Sequence, residues 1–150
     1  MALDPNRWTL KTQEAVNLAL AAARSASNPE VTPDHLLLAL LGRVQALDET
    51  YFYGGCHRLW GAYYTQRGQY DRAAASFERA AEIAPAFLVT RRMYAVLYAT
   101  RRRDRRLFVE QLTLVVRERE PADADILPEF RLEQNLARRL LAQADRLFPK

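Results

Sequence analysis

The side chains most suited to catalysis in this 150-residue chain are one cysteine and two histidines. Cys56 and His57 are adjacent, so on a helix their side chains point about 100° apart and form a poor nucleophile–base pair. A helix N-terminus close to Cys56 would favour a lowered thiol pKa. Two histidines alone cannot form a zinc site, which needs three or four ligands. We therefore interpret Cys56 as a scaffold residue and expect His35 to cap or pack at the start of a helix.

Two charged clusters are further candidates for binding. Asp123 and Asp125 could hold a cation, but two carboxylates in a proline-flanked loop are more often solvated, so we expect no metal and no cofactor. Residues 101–106 contain five arginines, with Arg91 and Arg92 nearby. This cluster could neutralise phosphates, or it could be a solvated turn at a helix C-terminus. No aromatic residue interleaves it for base stacking, which disfavours nucleic acid.

The composition of the chain indicates which kind of fold positions these residues. Hydrophobic residues make up 49% and charged residues 27%, which excludes a disordered chain. Few glycines and many Ala, Leu, Arg and Glu residues favour helix. The longest apolar run, Leu36 to Leu41, is far shorter than the roughly 20 residues of a membrane-spanning helix. Charged residues replace the apolar stretch of a signal peptide at the N-terminus, so the sequence as written predicts a cytoplasmic protein without membrane insertion.

Helical periodicity and stop signals predict an all-α array of about seven helices without a sheet. The expected bounds of the first six helices are 9–24, 33 to about 47, 57–67, 70–83, 88–100 and 104–117. Gly54-Gly55 breaks the chain before the third helix, and Pro128 opens a long last helix. We expect that helix to cap the array through one apolar stripe. The stripe consists of Leu132, Leu136, Leu140, Ala144 and Leu147.

Five residues at fixed offsets predict a helical hairpin over residues 54–87. Gly61 and Ala73 allow two helices to approach closely, Tyr64 and Phe77 fill the space between them, and Pro85 ends the second helix. This pattern resembles the signature of a tetratricopeptide repeat. A second, degenerate repeat is expected over residues 88–121. Two repeats are fewer than a free-standing array needs, so the N-terminal hairpin and the last helix must complete the packing.

The resemblance to tetratricopeptide repeats implies a binding groove, because the first helix of each hairpin lines the concave face. The residues placed there by this register are Arg58, Ala62, Thr65 and Gln66, joined by Arg92 from the next repeat. Two arginines in a groove suit an acidic or carboxylate-bearing ligand. The lysine–asparagine clamp of chaperone-binding repeats is not reproduced, because Ala62 occupies the asparagine position.

Two thirds of the chain, residues 50–148, resemble one further family. The matching segments are Tyr51-Phe52-Tyr53-Gly54-Gly55, His57-Arg58-Leu59, Gly61-Ala62-Tyr63-Tyr64, Phe77-Glu78-Arg79-Ala80, Thr90 to Tyr98, and Leu136-Ala137 through Leu147-Phe148. They are similar to the TatT component of TRAP-type transporters, a family of helical-repeat accessory proteins. The resemblance implies a non-enzymatic periplasmic protein that associates with an extracytoplasmic solute receptor, and it is compatible with a homo-oligomer such as a trimer.

Residues 3–47 resemble a different family. The matching segments are Arg7-Trp8-Thr9, Gln13-Glu14-Ala15 and the run from Val31 to Leu41. They are similar to one N-terminal repeat of the Clp chaperones, which normally occurs twice ahead of ATPase domains. The chain contains no G-x-x-x-x-G-K-[ST] loop, so ATP hydrolysis is excluded on motif grounds. The two resemblances meet between Val44 and Thr50 and predict domains at 1–49 and 50–150, a pairing that a natural fusion or an engineered or generated chimera would produce.

Together these patterns predict a non-enzymatic interaction module. The leading hypothesis is a TatT-like scaffold that holds a protein or an anionic solute, located in the periplasm if that resemblance governs. The alternative is a chaperone adaptor, or a module that binds chaperone clients through the N-terminal hairpin. Nucleic-acid binding through residues 101–106 is the third hypothesis, and we expect no enzymatic activity.

Overall fold

A computed structural model describes residues 9–25 and 27–149, and these residues form eight helices and no strand. The helices are α1 (Leu10–Ser25), α2 (Pro33–Leu47), α3 (Tyr51–Gln66), α4 (Tyr70–Ile83), α5 (89–102), α6 (Arg105–Arg117), α7 (Leu127–Ala142) and α8 (Ala144–Leu147). The all-α fold class is therefore confirmed. The eighth helix arises because Gln143 separates the last predicted helix into α7 and α8. No described helix is long and apolar enough to cross a membrane.

The chain divides into two compact units between Asp48 and Glu49. In the first unit, α1 packs against α2, and Ala19, Ala23 and Leu41 are buried. Helix α2 begins after Thr32, whose backbone N–H donates to Nδ1 of His35 at 3.0 Å. This bond satisfies one backbone donor at the helix N-terminus. The predicted capping role of His35 is thus confirmed.

The second unit begins with a hairpin of α3 and α4 in which Gly61 lies directly against Phe77. A Cβ atom on Gly61 would come within 2.8 Å of the Phe77 ring, closer than real side chains approach. Ala73 and Phe77 are fully buried. The chain turns at Gly68, which has a φ of +72°. The close helix approach that the small residues predict is therefore present.

The start of α3 differs from its prediction. The sequence predicts a break at Gly54-Gly55 and a helix from His57, whereas helical hydrogen bonding already begins at Tyr51. The break is a left-handed turn inside this segment, with φ values of 49° at Phe52, 58° at Tyr53 and 71° at Gly54. A left-handed conformation costs a non-glycine residue roughly 1–2 kcal/mol. Phe52 and Tyr53 therefore need stabilising contacts elsewhere.

Helix α5 is not the regular helix that the sequence predicts. It consists of an α-helical turn (Val89–Met93), a π-helical segment (Tyr94–Ala99) and a last turn (Thr100–Arg102). Tyr94 and Tyr98 lie in the π-helical segment, and Tyr94 stacks on Phe77 with ring centres 5.1 Å apart. Apolar periodicity cannot reveal such a segment, because it assumes a constant 3.6 residues per turn.

Helices α5, α6 and α7 enclose the larger core of the second unit. Its buried residues are Leu88, Ala95, Ala99, Phe108, Leu112, Val115, Phe130, Ala137 and Ala144. The predicted docking stripe of the last helix is wrong in part, since Leu132 is 55% and Leu147 38% exposed. Phe130, Glu133 and Ala137 are buried in its place. The prediction failed because it followed apolar residues alone, whereas Arg92 of α5 allows the charged Glu133 to be buried.

Candidate partner-binding site

Arg58 is a buried cation in the first part of α3 and is only 5% exposed. Its two terminal nitrogens donate to the backbone carbonyls of Phe52 and Tyr53. Its guanidinium also lies 4.6 Å from the ring centre of Phe87. Among the described residues, Arg58 forms no ion pair with a carboxylate. Carbonyl dipoles and aromatic faces therefore carry most of the compensation for this buried charge.

The left-handed turn and Arg58 stabilise each other. The turn points two carbonyl groups at the guanidinium, and a hydrogen bond to a charged group contributes about 1.5–3 kcal/mol. Tyr53 adds a stacked contact with Phe87, with ring centres 4.5 Å apart and planes 13° apart. These contacts offset the cost of the left-handed residues and fix the position of Arg58.

A cavity of about 250 Å³ lies beside Arg58. The lining residues are Phe52, Gly55, Arg58, Leu59, Phe87, Val89, Met93 and Glu129. Burial lowers the pKa of Arg58, and the charge of Glu129 opposes that shift. An arginine so placed stays protonated at neutral pH. The cavity thus combines a fixed cation, apolar walls and one carboxylate, which is a suitable arrangement for a polar end of a partner. We refer to it below as the Arg58 cleft.

Three other residues of the predicted groove lie on α3 but do not line the Arg58 cleft. Ala62 is half-buried against the cluster of Phe77 and Tyr94. Thr65 is buried, and its hydroxyl donates to the carbonyl of Gly61 at 2.7 Å. Gln66 is exposed at the end of α3. Their roles toward a ligand stay predictions.

Arg92, the fifth residue of the predicted groove, faces an internal carboxylate. Its Nε and Nη2 both donate to Glu133 of α7, whose side chain is only 4% exposed. The Nε–Nη2 edge of the Arg92 guanidinium is therefore engaged within the chain. Val89 and Met93 of α5 line the cleft, and Arg92 does not. The structure thus brings only one of the two predicted arginines to the cleft.

Comparison with known protein families identifies the chain. A family model described as the TRAP transporter T-component matches residues 15–148. The chain belongs to this family. The match includes parts of both units and is wider than residues 50–148, to which the sequence resemblance was assigned. The TRAP transporter resemblance predicted from sequence is confirmed.

A second likeness of this T-component is local. The chain is 54% identical over 39 residues to the chaperone protein ClpB of Mycobacterium bovis and of Mycobacterium tuberculosis. It is 54% identical over 35 residues to ClpB of Corynebacterium diphtheriae. The longer matches cover 26% of this chain but only 5% of the relative. The T-component therefore contains a short segment similar to ClpB. The chain aligns with only a small part of the full-length chaperone.

In this T-component, Glu49 joins the start of α3 to α4. Its carboxylate accepts a hydrogen bond from Arg79 at 2.5 Å and lies 3.2 Å from Nε2 of His57. The hydrogen bond from Arg79, followed by the one from His57, lowers the pKa of Glu49. The thiol of Cys56 donates to the backbone carbonyl of Glu49, and burial raises its pKa. The predicted lowering of the thiol pKa is wrong, because desolvation outweighs the helix N-terminus.

The structure places aromatic rings beside the arginine cluster, although none interleaves it in the sequence. The Arg102 guanidinium lies 5.0 Å from the ring centre of Tyr70, and Tyr70 contacts Tyr98 at 5.8 Å. Tyr70 precedes the cluster by more than thirty residues, so only the hairpin packing brings the two together. Proximity in the sequence therefore cannot predict this aromatic contact.

Asp123 and Asp125 form a local turn, in which the backbone N–H of Asp125 donates to Oδ1 of Asp123 at 3.0 Å. Within residues 9–25 and 27–149, no group of three or more His, Cys, Asp or Glu side chains could hold a metal ion. This hydrogen bond is typical of a short polar loop.

Proposed function

We propose that this T-component is a non-enzymatic interaction module that associates with the extracytoplasmic solute receptor of a TRAP transporter in the periplasm. The family match supports an accessory role in this type of transporter. The scaffold would be a tetratricopeptide-type array. In support, Gly61 and Ala73 allow α3 and α4 to pack closely around Phe77, as the repeat signature requires.

The Arg58 cleft is the observation that carries this proposal. Its volume of about 250 Å³ lies below the roughly 300–1,000 Å³ of sites that enclose a small-molecule ligand. It suits the insertion of one or two side chains from a protein partner. Arg58 would pair with a carboxylate of that partner, because its remaining donors have no carboxylate within the described chain. Glu129 would accept from a neighbouring donor of the same segment.

Exposed apolar residues at the rim of the cleft allow a test that leaves Arg58 in place. Leu59 lines the cleft and is 49% exposed, whereas Leu132 is 55% exposed and lies outside it. We expect L59S to weaken binding of a purified TRAP solute receptor by about tenfold, which is about 1.4 kcal/mol. L132S should bind like the wild type. Isothermal titration calorimetry with both variants measures the difference.

The outcomes of this titration are distinct. A wild-type chain that does not bind the receptor would contradict the proposed partner. If L59S and L132S both bind the receptor like the wild type, the receptor remains the partner, but the Arg58 cleft is excluded as its binding site.

The local likeness to ClpB favours a second candidate function, binding of unfolded clients by α1 and α2. A cavity of about 600 Å³ lies between these helices, and Leu18, Leu40 and Leu47 are among its lining residues. Leu40 is 44% exposed and lines the cavity, whereas Leu37 is 39% exposed and does not. Under this alternative, L40S should weaken binding of a reduced, carboxymethylated protein and L37S should not. Equal binding by both variants would exclude it.

A further inference from the structure

Exposed arginines lie beside tyrosines of three helices in the second unit, and these tyrosines are half-buried or, at Tyr98, buried. These residues lie at the end of α3, the start of α4 and the end of α5. We define the arginine–tyrosine surface by Tyr64, Tyr70, Arg72, Tyr98, Arg101, Arg102 and Arg103. Its three tyrosines pack on the same buried cluster around Phe77. The arginines are exposed. None of these residues lines the Arg58 cleft.

Two arginines of this surface lie over aromatic rings. The Arg72 guanidinium lies 4.4 Å from the ring centre of Tyr64, and the Arg102 guanidinium lies 5.0 Å from that of Tyr70. Neither forms an ion pair within the described chain. Arg72 also donates from Nη1 to Oε1 of Gln69 at 3.1 Å. A guanidinium that lies over a ring loses little further freedom when its remaining N–H donors bind a carboxylate.

The charge around these arginines is positive. Arg101 and Arg103 are exposed beside Arg102 and form no ion pair among the described residues. Three carboxylates act electrostatically on Tyr98, those of Asp71, Asp104 and Glu78. Asp104 is already engaged, since it accepts a hydrogen bond from the backbone N–H of Leu107. The four arginines thus exceed the carboxylates, and a partner should be anionic.

We infer that the arginine–tyrosine surface binds an acidic segment of a second protein through the guanidinium edges of Arg72 and Arg102. The guanidinium edges of Arg72 and Arg102 can bind carboxylates, whereas the rings of Tyr64 and Tyr70 are poorly placed to stack on nucleic-acid bases. Tyr64 is already stacked with Trp60, with ring centres 5.3 Å apart, and also carries Arg72. Tyr70 carries Arg102 and contacts Tyr98. Bases need a free aromatic face to stack on. The arginine–tyrosine surface is separate from the Arg58 cleft. This inference does not depend on which protein occupies the cleft.

Polyglutamate of defined length is a suitable probe for the whole chain. We expect wild-type protein to bind it, and binding to weaken as salt is added. The double variant R72Q/R102Q should lose at least about tenfold in affinity, since each arginine contributes charge-assisted hydrogen bonds. The control variant R117Q/R139Q removes the same charge from exposed positions outside the surface. It should lose less than about threefold, because only long-range attraction changes.

The tyrosine beneath Arg102 provides a second measurement. Y70F keeps the aromatic ring and should bind polyglutamate like the wild type. Y70L removes the ring that holds Arg102 and should bind several-fold more weakly. Far-UV circular dichroism of each variant verifies that the helices are retained.

Three results would overturn the inference. The first is an equal loss of polyglutamate affinity in the R72Q/R102Q and R117Q/R139Q variants, which would show that only the net charge of the chain matters. The second is equal binding by folded Y70F and Y70L. The third is tighter binding of a random-sequence DNA duplex than of polyglutamate at the same salt, with the loss confined to R72Q/R102Q, which would assign the surface to nucleic acid.

Discussion

Gly61 shows how far one residue can be understood from the sequence. Its place in the repeat signature predicts a close helix approach, and the structure identifies the contacting group as the Phe77 ring. The same logic did not extend to Arg58. Sequence spacing placed Arg58 on a concave face, but its two carbonyl partners depend on left-handed backbone at Phe52 and Tyr53. Such backbone is rare for aromatic residues, so no local propensity predicts it.

At Gly61 we predict that alanine destabilises the protein. The new Cβ would lie 2.8 Å from the Phe77 ring, a fully buried group that cannot move freely. Overpacking of this kind costs about 1–3 kcal/mol. Gly55 is the matched control on the same helix, because a Cβ there meets nothing closer than 3.5 Å. Chemical denaturation should show a lower free energy of unfolding for G61A than for G55A, and equal values would contradict the packing.

At Arg58 we predict a structural effect in addition to any role in binding. R58M keeps the length of the side chain but leaves the carbonyls of Phe52 and Tyr53 without their donors. The loss of these hydrogen bonds to a charged donor should lower the free energy of unfolding by about 1.5–3 kcal/mol. Arg117 is an exposed control. R117M should change the free energy of unfolding by less than about 0.5 kcal/mol. A melting temperature of R58M equal to that of R117M would show that the carbonyls do not need Arg58.

At the scale of helices, strong local signals gave accurate bounds and weak ones did not. Helix α4 runs from Tyr70 to Ile83 as predicted, because Gly68 and Pro85 lie on either side of it. The π-helical segment of α5 escaped prediction, since its residues have ordinary helical propensities. The buried face of α7 was misassigned because Glu133 is charged. A buried carboxylate becomes acceptable only with a partner such as Arg92, and that partner is 41 positions away in the sequence.

The contact between α3 and α4 through Glu49 should depend on pH. Arg79 and His57 lower the pKa of Glu49 in the folded chain below its ordinary value of 4.5. The folded state therefore gains stability from ionised Glu49 above this value and loses it as the pH falls through the lowered pKa. We expect E49Q to melt below the wild type at about pH 7, with a difference that shrinks when the pH is lowered well below 4.5. A difference that persists unchanged at the lower pH would contradict this ion pair.

At the scale of the whole molecule, the sequence was sufficient for the fold class and the family. Both depend on patterns repeated over many residues, so local errors in one helix do not alter them. The Arg58 cleft could not be predicted in the same way. The Arg58 cleft is built from α3, α5 and α7, and its lining residues Phe87 and Glu129 are far from Arg58 in sequence. Only the packed chain brings an arginine, apolar walls and a carboxylate to one cavity.

We predict that this T-component holds a solute receptor of a TRAP transporter. Sedimentation velocity of the purified chain, the purified receptor and their mixture tests it without any substitution. We predict that the mixture contains a species that sediments faster than either protein alone and that includes both, in an amount that rises with concentration. A mixture whose profile equals the sum of the two separate profiles at every concentration would contradict this prediction.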